Sequence, residues 1–233
     1  MSIPHNRSDG AFESLSKAIK SFIDGLAPSH VYPATIELFR QGTYADEVYF
    51  VNRGLLKLVR MEREGHELII DLRPPGWLLG TAAVITQQQH PVTAITLSES
   101  VVQRIPATVF NRLLKSNPQF SLHLHQMQSH EALGHITHMA RISCLPAQER
   151  LADLLWELAH ALALPTSSGE ILLRLPLKHW ELAQLIAVTP EYLSRLLKNM
   201  QREGIVRQKK GLMIIQNVDK LWHSSTNQNI SLT

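Results

Sequence analysis

The stretch Thr189–Arg202 reads TPEYLSRLLKNMQR and determines how the C-terminal part of the chain folds. Its apolar residues recur at the i, i+3, i+4, i+7 spacing of a helix with one buried face: Leu193, Leu196, Leu197 and Met200. Thr189 can cap this helix, Pro190 suits its first position, and Glu191 suits the positive end of its dipole. We therefore predict one amphipathic helix over this stretch.

The polar side chains of this helix lie off its apolar stripe. Glu191, Ser194 and Arg195 offer an acceptor, a hydroxyl and a guanidinium, which are groups that read base edges in DNA. Several side chains in and around the helix are candidates for phosphate contacts: Lys178, His179, Thr189, Lys198, Arg202, Lys209 and Lys210. The alternative interpretation is that this is an ordinary solvated face of a surface helix. The sequence on either side of the helix has to distinguish it from a DNA-reading face.

Positive charge is concentrated around the same helix. Residues 190–220 carry seven Lys or Arg against three Asp or Glu, a balance of +4, whereas the whole chain has a net charge of only +3. A local basic footprint on a nearly neutral chain suggests a polyanionic partner such as double-stranded DNA.

The segments on either side of the helix complete a known motif. Leu177–Ala187 has helical periodicity, and a tight Val188-Thr189 junction leads into the next helix. Downstream, Ile205-Val206 and Leu212–Ile215 are strand-like runs joined by the basic turn Arg207–Gly211. Two short helices with a tight turn, followed by a hairpin, predict a winged helix-turn-helix.

Short strand-like runs fill the region from His30 to Pro106. They are Thr35–Phe39, Val48–Val51, Leu55–Met61, Glu67–Leu72, Thr93–Leu97 and Val101–Ile105. Turn glycines separate the first of them at intervals of 12, 11 and 11 residues: Gly42, Gly54, Gly65 and Gly76. Short strands at this spacing predict a small antiparallel β-barrel or sandwich.

A proline-free helical segment follows, from Gln119 to about Ser143. Its apolar seam consists of Phe120, Leu124, Met127, Leu133, Ile136 and Ala140. At about 1.5 Å per residue, such a helix is too long for a small barrel to cover completely. We therefore expect a second copy of the chain to cover the rest as a coiled coil.

Composition excludes several other classes of protein. Cys144 is the single cysteine, so one chain cannot form an internal disulfide or a cysteine-only metal site, and we expect this residue to be buried. Residues 1–10 lack the hydrophobic core of a signal peptide, and no run approaches the ~20 apolar residues of a membrane span. We expect a soluble, cytoplasmic protein with no membrane partner.

No catalytic motif is found in the sequence. The chain has no glycine-rich phosphate loop, no HExxH motif and no nucleophile motif, and its carboxylates are scattered. We therefore expect a binding protein and not an enzyme. Two binding functions stay open: a DNA-binding regulator, or a small-molecule-binding module whose helix-turn-helix serves protein contacts.

From about residue 30 to residue 220, the order barrel, long helix, winged helix-turn-helix resembles the CRP/FNR family of bacterial transcription factors. The most specific piece is Pro190–Arg195, PEYLSR, which resembles the Glu-x-x-Ser-Arg signature of the FNR branch. In that branch these side chains read the TTGAT half-sites of a TTGAT-N4-ATCAA palindrome. The resemblance implies a homodimeric transcription regulator, expected to be an activator with RNA polymerase as a partner.

The resemblance also implies an α+β layout in five parts. Residues 1–29 are a helical leader, and residues 30–117 are an effector-sensing antiparallel β-barrel of the cyclic-nucleotide-binding jelly-roll type. Residues 118–144 are the dimerisation helix. Residues 145–223 are the winged helix-turn-helix DNA-binding domain, and residues 224–233 are a flexible tail.

The effector site departs from the family's cyclic-AMP pattern, which has Gly-Glu and, further on, Arg-Ser. Here Thr81 stands in place of Glu, and Pro91 and Val92 stand in place of Arg and Ser. A cyclic phosphate would meet no guanidinium, so we expect weak or no binding of cyclic AMP. The expected lining of the effector pocket is Gly80, Thr81, Val92, Leu124 and Met127.

The resemblance bears on cofactors as well. The N-terminal cysteine cluster of the oxygen-sensing members is absent, so we expect no iron–sulfur cluster. The sequence most resembles the remaining FNR-like regulators, among them the dissimilative nitrate-respiration type, thought to sense nitric oxide through haem. Glu131, His135 and His138 share one face of the long helix, so His135 or His138 is a candidate haem ligand. The alternative is that these are polar residues beside a helix seam.

Overall fold

The computed structural model describes residues 10–62, 65–162, 170–209 and 212–224 of the 233-residue chain. The chain forms two compact units, which divide between Ile136 and Thr137. The first unit holds two β-sheets, and the second holds helices with one small sheet. The expected α+β class, with a β-domain, a long helix and a winged helix-turn-helix in that order, is confirmed.

Eight short strands build the first unit. They are β1 (Ser29–Tyr32), β2 (Glu37–Phe39), β3 (Glu47–Arg53), β4 (Leu56–Met61), β5 (Glu67–Arg73), β6 (Leu78–Leu79), β7 (Thr93–Thr96) and β8 (Ser100–Pro106). They pair antiparallel in two four-stranded sheets, with the orders β1-β8-β3-β6 and β2-β7-β4-β5. Within the described residues, the expected barrel is therefore a pair of jelly-roll-like sheets that do not close on each other.

One apolar cluster forms the core of the first unit. Helix α1 (Gly10–Ile23) buries one face at helical spacing: Phe12, Leu15, Ile19 and Ile23. Phe12 stacks on Trp77, with ring centroids 4.7 Å apart. Helix α3 (Ala107–Ser116) adds the fully buried Phe110. Each such side chain contributes about 1.5–3 kcal/mol when it is removed from water, so this cluster is the main source of stability.

Turn glycines end several of the strands, as expected from their spacing. The four that the sequence singles out all have a positive φ: Gly42, Gly54, Gly65 and Gly76. At Gly54 a Cβ atom would lie 2.2 Å from Ser100 Oγ and 2.7 Å from the Glu99 carbonyl. Only glycine fits this turn, because both its left-handed backbone and its close approach to the start of β8 exclude a side chain.

Three elements of the first unit were not predicted from the sequence: β1, β6 and helix α2 (Thr81–Thr86). β1 has no buried residue and therefore no alternating pattern, although it pairs in register with β8. β6 has two residues and α2 has six, which is too short for a hydrophobic period to show. Their neighbours in space, and not their own sequence, define these elements.

Helix α4 (Pro118–Cys144) confirms the long helix, with 27 residues. Its first apolar residues, Phe120, Leu124 and Met127, are buried. Large apolar side chains further along are exposed: Leu133, Ile136, Met139 and Ile142. Cys144 is also exposed, so its expected burial is wrong; it stands at the end of the helix in a run of three exposed residues. Among the described helices, none has both the length and the hydropathy needed to cross a membrane.

The second unit follows the predicted winged helix-turn-helix. Its elements are α5 (Ala147–Leu162), β9 (Ile171–Leu173), α6 (His179–Leu185), α7 (Pro190–Arg202), β10 (Val206–Lys209), β11 (Leu212–Ile215) and α8 (Val218–Ser224). The strands form an antiparallel sheet in the order β10-β11-β9, and β10 and β11 are the hairpin of the wing. Helix α8 was not predicted, and the rest of the expected tail, 225–233, lies outside the described residues.

The turn between α6 and α7 is tight and contains a residue with a left-handed backbone. Ala187 has a φ of 52°, and its amide donates a hydrogen bond to the Gln184 carbonyl at 3.0 Å. The Val188 amide donates to the Ala183 carbonyl, also at 3.0 Å. The side chain of Ala187 is exposed, so nothing but its backbone conformation constrains this position.

Replacing Ala187 with glycine should therefore stabilise the protein. A left-handed alanine is unfavourable by roughly 1–2 kcal/mol, and the extra freedom of glycine in the unfolded chain offsets part of the gain. We expect Ala187→Gly to raise the free energy of unfolding by about 0.5–1 kcal/mol in urea denaturation. The control Ala183→Gly, at a buried helical position, should lower it; stabilisation by both or by neither would contradict this account of the turn.

Candidate nucleic-acid interface and effector cavity

The start of α7 is fixed by a cap and by burial. Thr189 has an extended backbone, and its Oγ1 atom accepts a hydrogen bond from the Tyr192 amide at 3.3 Å. Pro190 occupies the first turn, where its missing amide hydrogen is not needed. The apolar stripe predicted from the sequence is buried: Leu193, Leu196, Leu197 and Met200. The rotation of the helix about its axis is thereby set.

The other side of α7 presents Glu191, Ser194 and Arg195, which we name the reading edge. Glu191 and Arg195 are exposed, and Ser194 is half-buried. The Arg195 guanidinium lies 5.1 Å from the centre of the Tyr192 ring, a cation–π distance that favours an ordered side chain. Hydrogen bonds from the backbone of Glu191 and from the Thr189 hydroxyl, with the charge of Arg195, lower the pKa of Glu191. The reading edge therefore offers an ionised acceptor beside a guanidinium at neutral pH.

Helix α6 contributes one side chain next to the reading edge. His179 Nε2 lies 3.4 Å from Ser194 Oγ. The Ser194 hydroxyl donates its hydrogen bond to the Pro190 carbonyl, at 3.1 Å. The sequence identified His179 only as a candidate phosphate contact. The structure places it against a candidate base-reading hydroxyl.

Two residues that the sequence interpretation missed hold the motif in shape. Glu181 is 3% exposed, and its carboxylate accepts a hydrogen bond from the Lys178 amide at 2.6 Å, which caps α6. Arg150 on α5 donates from Nε to the Ile186 carbonyl at 2.9 Å and so anchors the turn. Glu181 stands at the third position of a capping box, but Lys178 occupies the position where that signature has serine or threonine, so neither Glu181 nor Arg150 has a clear local signal.

The expected phosphate contacts are distributed over three elements and their caps. The exposed members are Lys178, His179, Thr189, Lys198, Arg202 and Lys209. Lys210 was predicted as a further contact and lies outside the described residues. The exposed cations flank the reading edge on α7 and extend to the wing, where they can hold a backbone of phosphates while the reading edge meets the bases.

Comparison with known proteins agrees with this geometry. The family described as Cyclic nucleotide-binding domain matches residues 29–117, and the one described as Crp-like helix-turn-helix domain matches residues 149–224. The Fumarate and nitrate reduction regulatory protein of Yersinia pestis is 29% identical over 184 residues, which are 79% of this chain and 73% of that protein. This chain belongs to the CRP/FNR family.

One further relative and one solved structure are also similar to this chain. The Anaerobic regulatory protein of Haemophilus influenzae is 28% identical over 169 residues, 72% of this chain, and the match spans 65% of that relative's length. The solved structure of FixK2 from Bradyrhizobium japonicum has a TM-score of 0.73 at 20% identity and covers 85% of this chain and 97% of that one. The last comparison shows a shared fold.

The first unit contains a cavity of about 130 Å³, lined by the stretch that the sequence analysis compares with the cyclic-AMP pattern. Gly80, Thr81 and Val92 line it, as expected for the effector pocket. Leu124 and Met127 do not line it; each is 2% exposed and packs in the apolar core, because they precede the part of α4 that reaches the cavity. The residue of α4 that does line it is Glu131.

The polar groups of the cavity were also missed from the sequence. Arg73, His90 and Glu131 line it together with apolar side chains. His90 stacks on Phe39 with ring centroids 4.1 Å apart, and burial lowers the pKa of His90, which keeps the imidazole neutral at pH 7. The cavity therefore has one buried cation, Arg73, although the position where the cyclic-AMP pattern has arginine is Pro91.

The two candidate haem ligands lie apart from the cavity described above. His135 Nε2 lies 3.5 Å from Asp71 Oδ2, and His138 belongs to the second unit. Neither histidine lines the cavity of the first unit. Within the described ranges, no three His, Cys, Asp or Glu side chains are arranged to hold a metal ion.

Loss of the Arg195 guanidinium should weaken DNA binding and relax its base preference. A bidentate arginine–guanine contact is worth about 1–3 kcal/mol of discrimination, so Arg195→Ala should lose that much on the cognate site and less on a mismatched one. Fluorescence anisotropy titrations at one fixed salt concentration measure the affinity for the cognate site and for the mismatched site. Arg40→Ala, an exposed arginine of the first unit, is the control; unchanged cognate affinity of Arg195→Ala would remove this residue from the base-reading set.

The wing lysine should act differently, through the salt dependence of binding. A phosphate contact releases about one counterion, so Lys209→Ala should reduce the slope of log K against log salt by about one unit, equally on all sequences. The control is Lys17→Ala on α1, whose side chain is 74% exposed. A slope equal to that of the unmodified protein would show that Lys209 makes no phosphate contact.

Proposed function

We propose that this chain is a sequence-specific DNA-binding transcription regulator that acts as a homodimer in the cytoplasm. The observation that carries the proposal is the reading edge: an ionised carboxylate, a hydroxyl and a guanidinium exposed on the second helix of a helix-turn-helix. The buried stripe of α7 holds this edge outward. An α-helix presented in this way fits the major groove of B-form DNA.

Each group of the reading edge has a role in this proposal. Arg195 donates to O6 and N7 of guanine, and Glu191 accepts from N4 of cytosine. Ser194 contacts a neighbouring base or thymine methyl group. The target is an FNR-like palindrome of the TTGAT-N4-ATCAA type, supported by the Glu-x-x-Ser-Arg pattern and by relatives named for fumarate and nitrate reduction.

Homodimerisation accounts for the exposed apolar surface of α4. Leu133, Ile136 and Met139 have relative exposures of 62%, 59% and 60%, and they lie on the long helix at intervals of three residues. Large apolar residues concentrated in this way on a helix are typical of a surface that a partner covers. A two-fold dimer would place the two recognition helices one helical turn of DNA apart, about 34 Å.

An effector in the cavity of the first unit would control binding by shifting the population of DNA-binding conformers. It is unlike cyclic AMP, because Thr81 and Pro91 replace the side chains that hold the ribose and the phosphate. Neither candidate haem ligand lines this cavity, so no step of the proposal uses haem. RNA polymerase is the proposed protein partner, and we infer that the chain binds rather than catalyses, in keeping with relatives that are regulators by name.

The second candidate function is a small-molecule-binding protein whose helix-turn-helix does not read DNA. The cavity of the first unit is the one observation that favours it. A gel shift with TTGAT-N4-ATCAA separates the two. The regulator should bind this palindrome about a thousandfold or more tightly than a duplex with scrambled half-sites. Equal binding to both duplexes, at every effector condition, would favour the module.

The dimer can be tested with the same assay. Ile136→Glu places a charge on the exposed apolar face of α4, so it should give a monomer in sedimentation velocity and lose specific binding, since one half-site contact is too weak alone. The matched control is Ile85→Glu, an isoleucine of α2 that is 41% exposed. A wild-type monomer, or loss of the dimer in both variants, would contradict the proposed interface.

A further inference from the structure

A buried ion-pair cluster lies where the end of β5 meets α4 in the first unit. Arg73 is 2% exposed, and its Nη2 atom lies 3.0 Å from Asp71 Oδ2. The same Nη2 atom donates to the carboxylate of Glu131 on α4. The guanidinium carbon also lies 4.5 Å from the centre of the Trp77 ring, so the arginine is held against an indole face.

The two acidic partners of Arg73 differ in their freedom to move. Asp71 has a side-chain exposure of 1%, and its Oδ1 atom accepts a hydrogen bond from the Leu72 amide at 2.8 Å. Glu131 has a side-chain exposure of 33%. Asp71 is therefore held against the guanidinium, whereas the partly exposed carboxylate of Glu131 can give up its place on Arg73 to another anion. Glu131 is thus the exchangeable partner.

The cavity provides the place from which a replacement would come. Arg73 and Glu131 both line it, and the rest of its wall is mostly apolar: Phe39, Leu58, Leu78, Leu79, Pro91 and Val92. Two guanidinium nitrogens of Arg73, Nε and Nη1, are buried and have no hydrogen-bond partner among the residues that the structure describes. The cavity, at about 130 Å³, is close in size to one of ~150 Å³ that holds benzene, and the place of the Glu131 carboxylate adds room for that of a ligand.

The charges around the cavity determine whether a monoanion or a dianion can replace Glu131. With Glu131 displaced, the positive charge of Arg73 and the negative charge of Asp71 cancel. The neutral His90 adds no charge, and His135 faces Asp71 rather than the cavity lining. A monoanion therefore restores the balance that Glu131 provides, whereas a dianion leaves one more negative charge in a buried site.

We propose that this cavity binds a compact organic monocarboxylate, whose carboxylate replaces that of Glu131 on Arg73 and so releases this contact between β5 and α4. The apolar body of the ligand fills the space between Phe39, Leu79 and Val92. The inference deepens the effector part of the proposed function and rests on it. The ligand acts because it competes with a carboxylate of the protein itself, which makes release of α4 and ligand binding one event.

Titration calorimetry on the full chain without DNA tests the proposal, with benzoate as the probe. Benzoate should bind the wild type. Glu131→Gln should bind it about tenfold more tightly, since a neutral amide competes for Arg73 less well than a carboxylate does. Benzamide and phenyl phosphate should bind neither protein, because the first has no charge and the second is a dianion near neutral pH.

Two further variants sharpen the result. Glu99→Gln removes an exposed carboxylate that pairs with Arg53 at 2.6 Å, far from the cavity lining, and should bind benzoate as the wild type does. Arg73→Met should abolish binding; if it does not fold, the comparison of Glu131→Gln with Glu99→Gln still decides. Absence of benzoate binding, equal binding of benzamide, or no gain in Glu131→Gln would overturn the proposal.

DNA binding is measured separately, with and without saturating benzoate. If benzoate binds as described and the palindrome is never recognised, the proposed regulator function fails while the monocarboxylate site stands. If the palindrome is recognised and benzoate does not bind, the site fails and the regulator stands.

Discussion

Burial of one face of α7 is the constraint on which the rest of the site depends. Its apolar side chains allow only one rotation of the helix against its own unit, so Glu191 and Arg195, four residues apart, must project together on the other side. The cap by Thr189 and the hydrogen bond from Arg150 to the preceding turn hold the start of the helix in place. The polar edge is therefore a rigid surface, as recognition of bases requires.

The sequence predicts those elements whose pattern is local. The stripe of α7 and the length of α4 follow from helical spacing within each segment, and the structure confirms both. Strand β1 and the cluster around Arg73 do not follow, because their partners are distant: Arg73 meets Glu131 across 58 positions of the chain. Cys144 shows the opposite error, since a residue type that is usually buried lies at an exposed helix end.

The β-domain keeps the fold of its family, while the side chains of its cavity depart from the cyclic-AMP pattern. The strands, the turn glycines and the cavity correspond to a cyclic-nucleotide-binding domain, but Thr81 and Pro91 occupy positions where that pattern has charged side chains. The cation of the cavity comes instead from the end of β5, where Asp71 and Trp77 hold it. Function resides in such side chains and not in the fold that carries them.

The two contacts of the Ser194 hydroxyl determine whether it presents a donor or an acceptor to its surroundings. Its single proton is directed to the Pro190 carbonyl, 3.1 Å away in the preceding turn of α7. With the proton in that position, the oxygen presents lone pairs, one of them on the side of His179 Nε2, 3.4 Å away. In the proposed complex with DNA, an acceptor at this point would match the exocyclic amino group of adenine or cytosine.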